Sequence, residues 1–335
     1  MLYNGQANSR KAFITAKLEN LKDNLIKSVD ASVLFDPAHK DHKEVLSVVR
    51  TAATEIGFMT VYNTAISAEQ VENLLSMYRR FFSLPDDVKA IVDMAETNSN
   101  RGWGRSGAEQ VSIHANPDLK QFYDCGPELS ADDPLTKLTY YAPNLWPEEP
   151  KGFKECASSY YQQACSVALD LLCAISVSIG ESPEYFKSAF DKPMALLRGN
   201  YYPVRPPQAG EKDAGIAEHA DYGCLTLLAT DGTPGLEVKM RDGSWQSLCV
   251  PPGEFVINFG EMLQFWSGGR VVATPHRVLG DNHERLSVPL FFNPRHDVNV
   301  APEDSSDMVI LAGDHLAKRY DETYLHKKRA SSGKT

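Results

Sequence analysis

The sequence lacks any apolar run approaching the ~18 residues that a membrane-spanning helix needs, so no membrane partner is expected. The first thirty residues contain no continuous apolar core of the kind a secretory leader carries. Arg10, Lys11, Lys17, Lys22 and Lys27 interrupt each short apolar stretch. The six cysteines (Cys125, Cys156, Cys165, Cys173, Cys224 and Cys249) include no CxxC pair, and three of them fall inside one expected helix. A disulfide framework is therefore not expected in a chain of this size, and the thiols read as reduced and packed in a cytoplasmic protein. Basic charge is in deficit. With 34 Lys+Arg against 44 Asp+Glu the formal net charge is −10, and no long basic run exists to face nucleic-acid phosphates, so no nucleic-acid partner is expected. Internal repeats and low-complexity tracts are also missing. What remains is ordinary soluble-protein composition, 42% hydrophobic and 23% charged, in 335 residues, enough to bury a substantial core.

The amino-terminal half reads as mainly helical. Val45, Leu46, Val49, Ala52 and Ala53 recur at helical spacing over 43–56, and Gly57 then precedes a strand-like run, Phe58 to Tyr62. Ser67 and Gln70 have the spacing of a capping box, opening a helix with Val71, Leu74, Leu75, Tyr78 and Phe82 on its apolar face. A long helix is expected over 151–179, where Tyr160, Ala164, Val167, Leu171, Leu172, Ile175 and Ile179 form one stripe ahead of Gly180. That length and apolarity suit a helix backing a sheet. Between about 195 and 293 the segments become short and rich in Val, Phe, Leu and Tyr: 196–202, 224–229, 236–240, 245–250, 255–259 and 285–292, with Asp242-Gly243 marking a hairpin. Such spacing points to a sandwich or barrel. Helix returns from about Gly313 to Lys328, and Arg329–Thr335 form a polar, frayed tail.

The strand-rich region holds His219-Ala220-Asp221 and, further on, His276, then Arg285 and Ser287. Residues i and i+2 of an extended segment point the same way, so His219 and Asp221 aim at one point, where His276 from a neighbouring strand completes a triangle. Two imidazoles and a carboxylate on one face of an octahedron suit Fe(II) and leave three positions open. By the same period, Arg285 and Ser287 share a face. A guanidinium grips a carboxylate through two parallel hydrogen bonds, and a hydroxyl adds another. A bidentate 2-oxo acid ending in a carboxylate would link the metal seat to this clamp. The HxD pair alone is weak, since His39-Lys40-Asp41 also matches but reads as a solvated loop. Gly333-Lys334-Thr335 echoes a phosphate loop, but position 328 is Lys and no helix follows.

With these residues in place, the chain resembles the isopenicillin N synthase-like family of Fe(II)- and 2-oxoglutarate-dependent dioxygenases. The resemblance is densest over 196–294. It is carried by Asn200-Tyr201-Tyr202-Pro203, His219-Ala220-Asp221 with 225–228, the run 253–260, Trp266-Ser267-Gly268-Gly269-Arg270, His276-Arg277-Val278 and Arg285-Leu286-Ser287. Upstream, Asn100-Arg101-Gly102-Trp103 and 118–122 look like its amino-terminal signatures. The chain departs from the family pattern at Gln121, Glu261, Gly268 and Pro275, none of which is a ligand position.

The resemblance implies an α+β fold: a double-stranded β-helix (jelly-roll) core with flanking helices, including the long backing helix and a C-terminal helix. The implied divisions are 1–185 (mainly helical, packing on the core), 186–300 (jelly-roll catalytic core) and 301–335 (C-terminal helix and frayed tail), in one integrated domain. It implies His219, Asp221 and His276 as iron ligands, and 2-oxoglutarate as co-substrate ending at Arg285 and Ser287 with Asn200 and Tyr202 as helpers. O2 is the oxidant, and succinate and CO2 leave. Hydroxylation of a small organic molecule is the default outcome, with desaturation or cyclisation as alternatives. No acid–base pair is nominated beyond the metal ligands. Arg101, Trp103, Arg105, Phe122, Tyr123 and Phe292 are the candidates for the substrate pocket. An acidic substrate would follow if Arg101 or Arg105 reached it. Two rivals stand beside this reading: an iron oxidase independent of 2-oxoglutarate, and a jelly-roll binding protein without catalysis.

Overall fold

The computed structural model describes residues 25–97, 99–210, 212–280, 282–302 and 307–325. Among the described residues, twelve strands form two sheets: β1 (Ser28–Asp30), β2 (Phe58–Tyr62), β3 (Gly102–Gly104), β4 (Gln121–Cys125), β5 (Leu196–Tyr202), β6 (Ile216–His219), β7 (Leu225–Thr230), β8 (Leu236–Lys239), β9 (Trp245–Leu248), β10 (Phe255–Phe259), β11 (His276–Val278) and β12 (Arg285–Phe292). The larger sheet runs β1-β2-β10-β7-β12-β5-β4-β3 and the smaller β6-β11-β8-β9. Every pairing is antiparallel except β1 with β2. The helices that shape the core are α1 (His42–Thr51), α2 (Ala68–Phe82), α3 (Phe153–Ser178), α4 (Glu261–Trp266) and α5 (Ala312–Thr323). No described helix is long and apolar enough to cross a membrane.

The central strands read as near-continuous apolar runs because both of their faces are covered. On β12, Leu286, Val288, Leu290 and Phe292 point into the main core, which α2 and α3 cover. Arg285, Ser287, Pro289 and Phe291 point the other way and line a cavity. Strand β5 alternates in register beside it. Leu197 enters the core and Gly199 packs beneath the Tyr78 ring, while Leu196, Arg198, Asn200 and Tyr202 face inward. The period of two thus sorts one set of side chains to stability and the other to an interior site. Pro289 lies in a central strand, a position that proline rarely takes. The β5 ladder is interrupted there, passing from Ser287↔Asn200 to Leu290↔Leu197.

Several local expectations match the structure. The Ser67 hydroxyl accepts from the Gln70 amide (3.2 Å) and the Gln70 side chain accepts from the Ser67 amide (2.8 Å), closing the capping box of α2. The long helix and its glycine stop appear as α3 and Gly180, whose φ is 91°. All six cysteines are free thiols. Other expectations need correction. The helix over 43–56 is α-helical to Thr51 and then widens into a π turn, Ala52–Ile56, ended by Gly57 at φ 80°. Beyond the strand expected at 58–62, the described region before 186 holds three more. It supplies β1 and β2 to one edge of the large sheet and β3 and β4 to the other, so strands from both sides of position 185 share one sheet. The C-terminal helix ends at Thr323. Lys328, Arg329–Thr335 and the Gly333-Lys334-Thr335 echo lie outside the described residues.

Gly260, between β10 and α4, has no room for a side chain. A Cβ there would sit 2.2 Å from the Gly223 carbonyl oxygen and 2.7 Å from that of Asp221. Both contacts are backbone, so they cannot swing aside. Gly260→Ala is expected to cost ~1–3 kcal/mol, the usual range for overpacking, and to displace the loop carrying Asp221. Thermal unfolding alongside Fe(II) affinity checks this, since a variant unchanged in both would show that the loop yields freely.

Candidate active site

His219 closes β6 and His276 opens β11, and the two are direct cross-strand partners. Asp221 lies two residues past the end of β6, in the turn into β7, so its approach owes more to that turn than to strand alternation. The three converge nonetheless. Asp221 Oδ1 is 3.7 Å from Nε2 of His219 and 3.7 Å from Nε2 of His276. One ligand atom from each residue lies within 4.8 Å of the others.

The surrounding hydrogen bonds decide which atoms are offered. Nδ1 of His219 is 2.8 Å from the Ala217 carbonyl and Nδ1 of His276 is 3.2 Å from the Thr274 carbonyl. A carbonyl only accepts, so each Nδ1 carries the proton and each Nε2 keeps its lone pair for a ligand. Asp221 Oδ2 accepts from the Thr226 hydroxyl (2.5 Å) and the Asn258 amide (2.7 Å), which leaves Oδ1 toward the imidazoles. Burial and the adjacent His276 push His219 below its ordinary value, favouring the neutral imidazole that metals require. Burial opposes ionisation of Asp221, but the two histidines, Thr226 and Asn258 outweigh it and hold the carboxyl down. This donor set fits a divalent iron with open positions. The bond from Asn258 orients the carboxylate. Asn258→Ala is therefore expected to weaken Fe(II) binding ~10–100-fold, the range typical of such supporting partners, as measured by anaerobic metal titration.

Two cavities meet at this triad, sharing Asn200, Ile216, His219, Asp221 and Phe291. The inner one runs between the sheets to Tyr202, Arg285 and Ser287, walled by Phe58, Leu228, Leu236 and Val278. Arg285 is 4% exposed, and its Nε and Nη1 have no hydrogen-bond partner among the described residues. Its guanidinium carbon lies 5.1 Å from the Tyr202 ring centroid. A buried donor without an acceptor costs ~1–3 kcal/mol. Open donors on a buried guanidinium call for an acceptor, such as the carboxylate that the far end of 2-oxoglutarate would supply. The structure thus brings together His219, Asp221, His276, Arg285, Ser287, Asn200 and Tyr202.

It does not bring the expected substrate residues there. Arg101 is buried outside both cavities and donates to the carbonyls of Asn100 and Tyr140. Trp103 packs in the main core and donates to Gln121. Arg105 pairs with Asp93 at 2.9 Å, with its side chain more than half exposed. Tyr123 is a core residue whose hydroxyl donates to the Leu145 carbonyl. Phe292 has the outward parity on β12 and stacks on Phe190, leaving Phe291 to line the cavity. Phe122 lies one layer behind the wall, beneath the Arg198 guanidinium at 4.2 Å.

The outer cavity is built instead from Glu109, Lys120, Arg198, Tyr222, Asn293, Tyr320, Thr323 and Tyr324, among others. Arg198 forks onto Asp124 (2.7 and 2.7 Å), meets both oxygens of Glu109 (2.9 Å each) and donates to Tyr324 (2.6 Å). Lys120 bridges Glu109 and Asp118 at 2.8 Å each. Burial raises the cost of the Glu109 charge, yet Arg198 and Lys120 prevail and hold its carboxyl down to about 2. Burial prevails at Asp118 and Asp124, which are shifted upward. Arg198 was within reach of sequence reasoning, being two residues before Asn200 on the same strand. Lys120 lies within the 118–122 signature, just before β4, whereas Glu109 comes from an irregular segment that carries no periodic signal.

Residues 26–149 match the family described as the non-haem dioxygenase in morphine synthesis N-terminal region, and residues 193–294 match the 2OG-Fe(II) oxygenase superfamily. A homoarginine-6-hydroxylase of Glycine max is 32% identical over 282 residues, spanning 81% of this chain and 84% of that relative. The chain belongs to the 2-oxoglutarate- and Fe(II)-dependent dioxygenases. Among solved structures, a full-length Neurospora crassa protein in complex with alpha-KG superposes on this dioxygenase with a TM-score of 0.77 at 27% identity, covering 88% of this chain and 95% of the Neurospora chain. The same Neurospora protein has also been solved with thymine and with 5-formyluracil. A putative 2OG-Fe(II) oxygenase family protein from Caulobacter crescentus superposes with the same TM-score, 0.77, at 25% identity, covering 89% and 99% of the two chains. The jelly-roll architecture with flanking helices expected from the resemblance is thereby shared.

Proposed function

We propose that this dioxygenase hydroxylates a small organic molecule, with His219, Asp221 and His276 holding Fe(II) and Arg285 with Ser287 holding the far carboxylate of 2-oxoglutarate. Bound Fe(II) with the keto acid and O2 supplies the oxidising chemistry, and succinate and CO2 are released. The chain's own residues do the positioning. Ala217 and Thr274 carbonyls fix the two imidazoles, while Thr226 and Asn258 fix Asp221. Phe58, Leu228, Leu236 and Val278 keep the inner cavity dry, and the lower dielectric strengthens the grip of Arg285 on a carboxylate. Tyr202 supports that guanidinium through its ring face. Asn200 stands at the seam of the two cavities, where its amide can reach both molecules.

The observation that carries this reading is the pairing of a convergent His-Asp-His triad with a buried guanidinium whose donors are open. The latter also weighs against an oxidase independent of 2-oxoglutarate, as does alpha-KG in the Neurospora structure. The named ligands and substrates of the relatives, thymine and homoarginine among them, favour a small-molecule substrate. A reducing, cytoplasmic setting is part of the same proposal and accords with the six free thiols. The test is stoichiometry: succinate is expected in equal amount to oxidised substrate. Substrate oxidation without succinate would favour the rival oxidase.

A further inference from the structure

We infer that the primary substrate is a small organic cation, an alkylammonium or guanidinium whose charged head seats against Glu109 in the outer cavity. The inference rests on the dioxygenase reading and narrows its substrate class.

The cations on that wall are already spent. All three nitrogens of Arg198 are engaged: Nε and Nη2 by Asp124, Nη1 by both oxygens of Glu109, and Nη2 also by Tyr324. An incoming anion would find no free fork there, and would meet the carboxylates that neutralise it. Lys120 is likewise held between Glu109 and Asp118. Three buried carboxylates, Glu109, Asp118 and Asp124, face three buried cations, Lys120, Arg198 and Arg101, so the cluster holds no spare positive charge for an anion. An anion entering the cavity would add an uncompensated buried negative charge, which is costly, whereas a cation would not. Glu109 is the carboxylate of the cluster that lines the cavity, and Arg198 and Lys120 hold it ionised. Its two oxygens accept three bonds out of roughly four that a carboxylate can take, so one position remains for a ligand donor.

A second observation is independent of that charge count. Asn200 is 4% exposed and lines the same cavity, and its Oδ1 is buried without a hydrogen-bond partner among the described residues. Oδ1 is an acceptor and calls for a donor. The carboxylates and keto group of 2-oxoglutarate offer only acceptors, so they cannot satisfy it; an N–H of the substrate can. Tyrosine rings at 222, 320 and 324 complete the wall, and aromatic faces favour cations. These features replace the acidic substrate that Arg101 or Arg105 would have implied, because neither arginine reaches the cavity.

The experiment is an anaerobic calorimetric titration of the protein loaded with Fe(II) and 2-oxoglutarate, using n-butylguanidinium, pentanamide and pentanoate as matched probes. The guanidinium is expected to bind about tenfold more tightly than either of the others. Glu109→Gln is expected to abolish that preference and Glu109→Asp to keep it, with melting temperatures monitoring the fold. Equal or tighter binding of pentanoate or pentanamide to the unmodified protein overturns the inference, whether or not the variants fold. Absence of 2-oxoglutarate binding in the loading step would instead overturn the dioxygenase reading beneath it.

Discussion

Asp221→Ala is expected to reduce turnover more than ~100-fold, beyond the range that supporting partners of a metal ligand command. Asp221 is the vertex of the triad, with one oxygen 3.7 Å from both imidazole nitrogens and the other fixed by Thr226 and Asn258. Alanine there removes the anionic ligand and leaves the Thr226 hydroxyl and the Asn258 amide without their acceptor. His219→Ala and His276→Ala are expected to have the same outcome, because each removes a neutral donor that no nearby side chain can replace. The check is 2-oxoglutarate decarboxylation in a preparation freed of metal and then reloaded with Fe(II). Near-normal rates in any of the three variants would remove that residue from the iron site.

Arg285→Ala should act on a different quantity. Two charge-assisted hydrogen bonds at ~1.5–3 kcal/mol each predict a rise of ~100-fold or more in the 2-oxoglutarate concentration needed for half-maximal rate. Arg285 is not part of the triad, so Fe(II) affinity should stay close to that of the unmodified protein. The orphaned Nε and Nη1 give this prediction its sign: the folded protein gives up little internal bonding when the guanidinium is removed, whereas the co-substrate loses its anchor. Steady-state rates across 2-oxoglutarate concentrations, paired with metal titration, separate the two effects. An unchanged co-substrate requirement would place the far carboxylate elsewhere.

Much of the interior site was legible because it follows strand alternation. The inward positions of β12 are Arg285, Ser287, Pro289 and Phe291, and those of β5 include Asn200 and Tyr202, all fixed once the strands are recognised. The same rule excludes Phe292 from the pocket, since its parity sends it to the core against Phe190. It also reaches Arg198, which chemistry-led reading of the sequence passes over. The metal triad was legible for a different reason: few residue types ligate iron, and two histidines on adjoining strands with an aspartate in the turn after one of them narrow the choice. The outer cavity was not legible. Glu109 belongs to an irregular segment whose position depends on long-range contacts, such as the bonds from Gln110 to Thr323 and from Asp118 to Glu109. Strands β3 and β4 escape a sequence reading because they are short and lie among helices. They become strands by adding to the edge of β5 rather than through a pattern of their own. Arg101, Trp103 and Tyr123 have the chemistry of pocket residues, yet tertiary packing uses them as core and backbone-bonding residues.

The most direct test of the account is an anaerobic absorption titration of the protein with Fe(II) and 2-oxoglutarate. A weak visible charge-transfer band from the chelated keto acid is expected only when both are present. It should be lost in Asp221→Ala, and restored in Arg285→Ala only at much higher 2-oxoglutarate. A protein that binds neither component, or that shows the same band without His219, Asp221 and His276, would contradict the claim that these three residues and Arg285 together form the reaction centre.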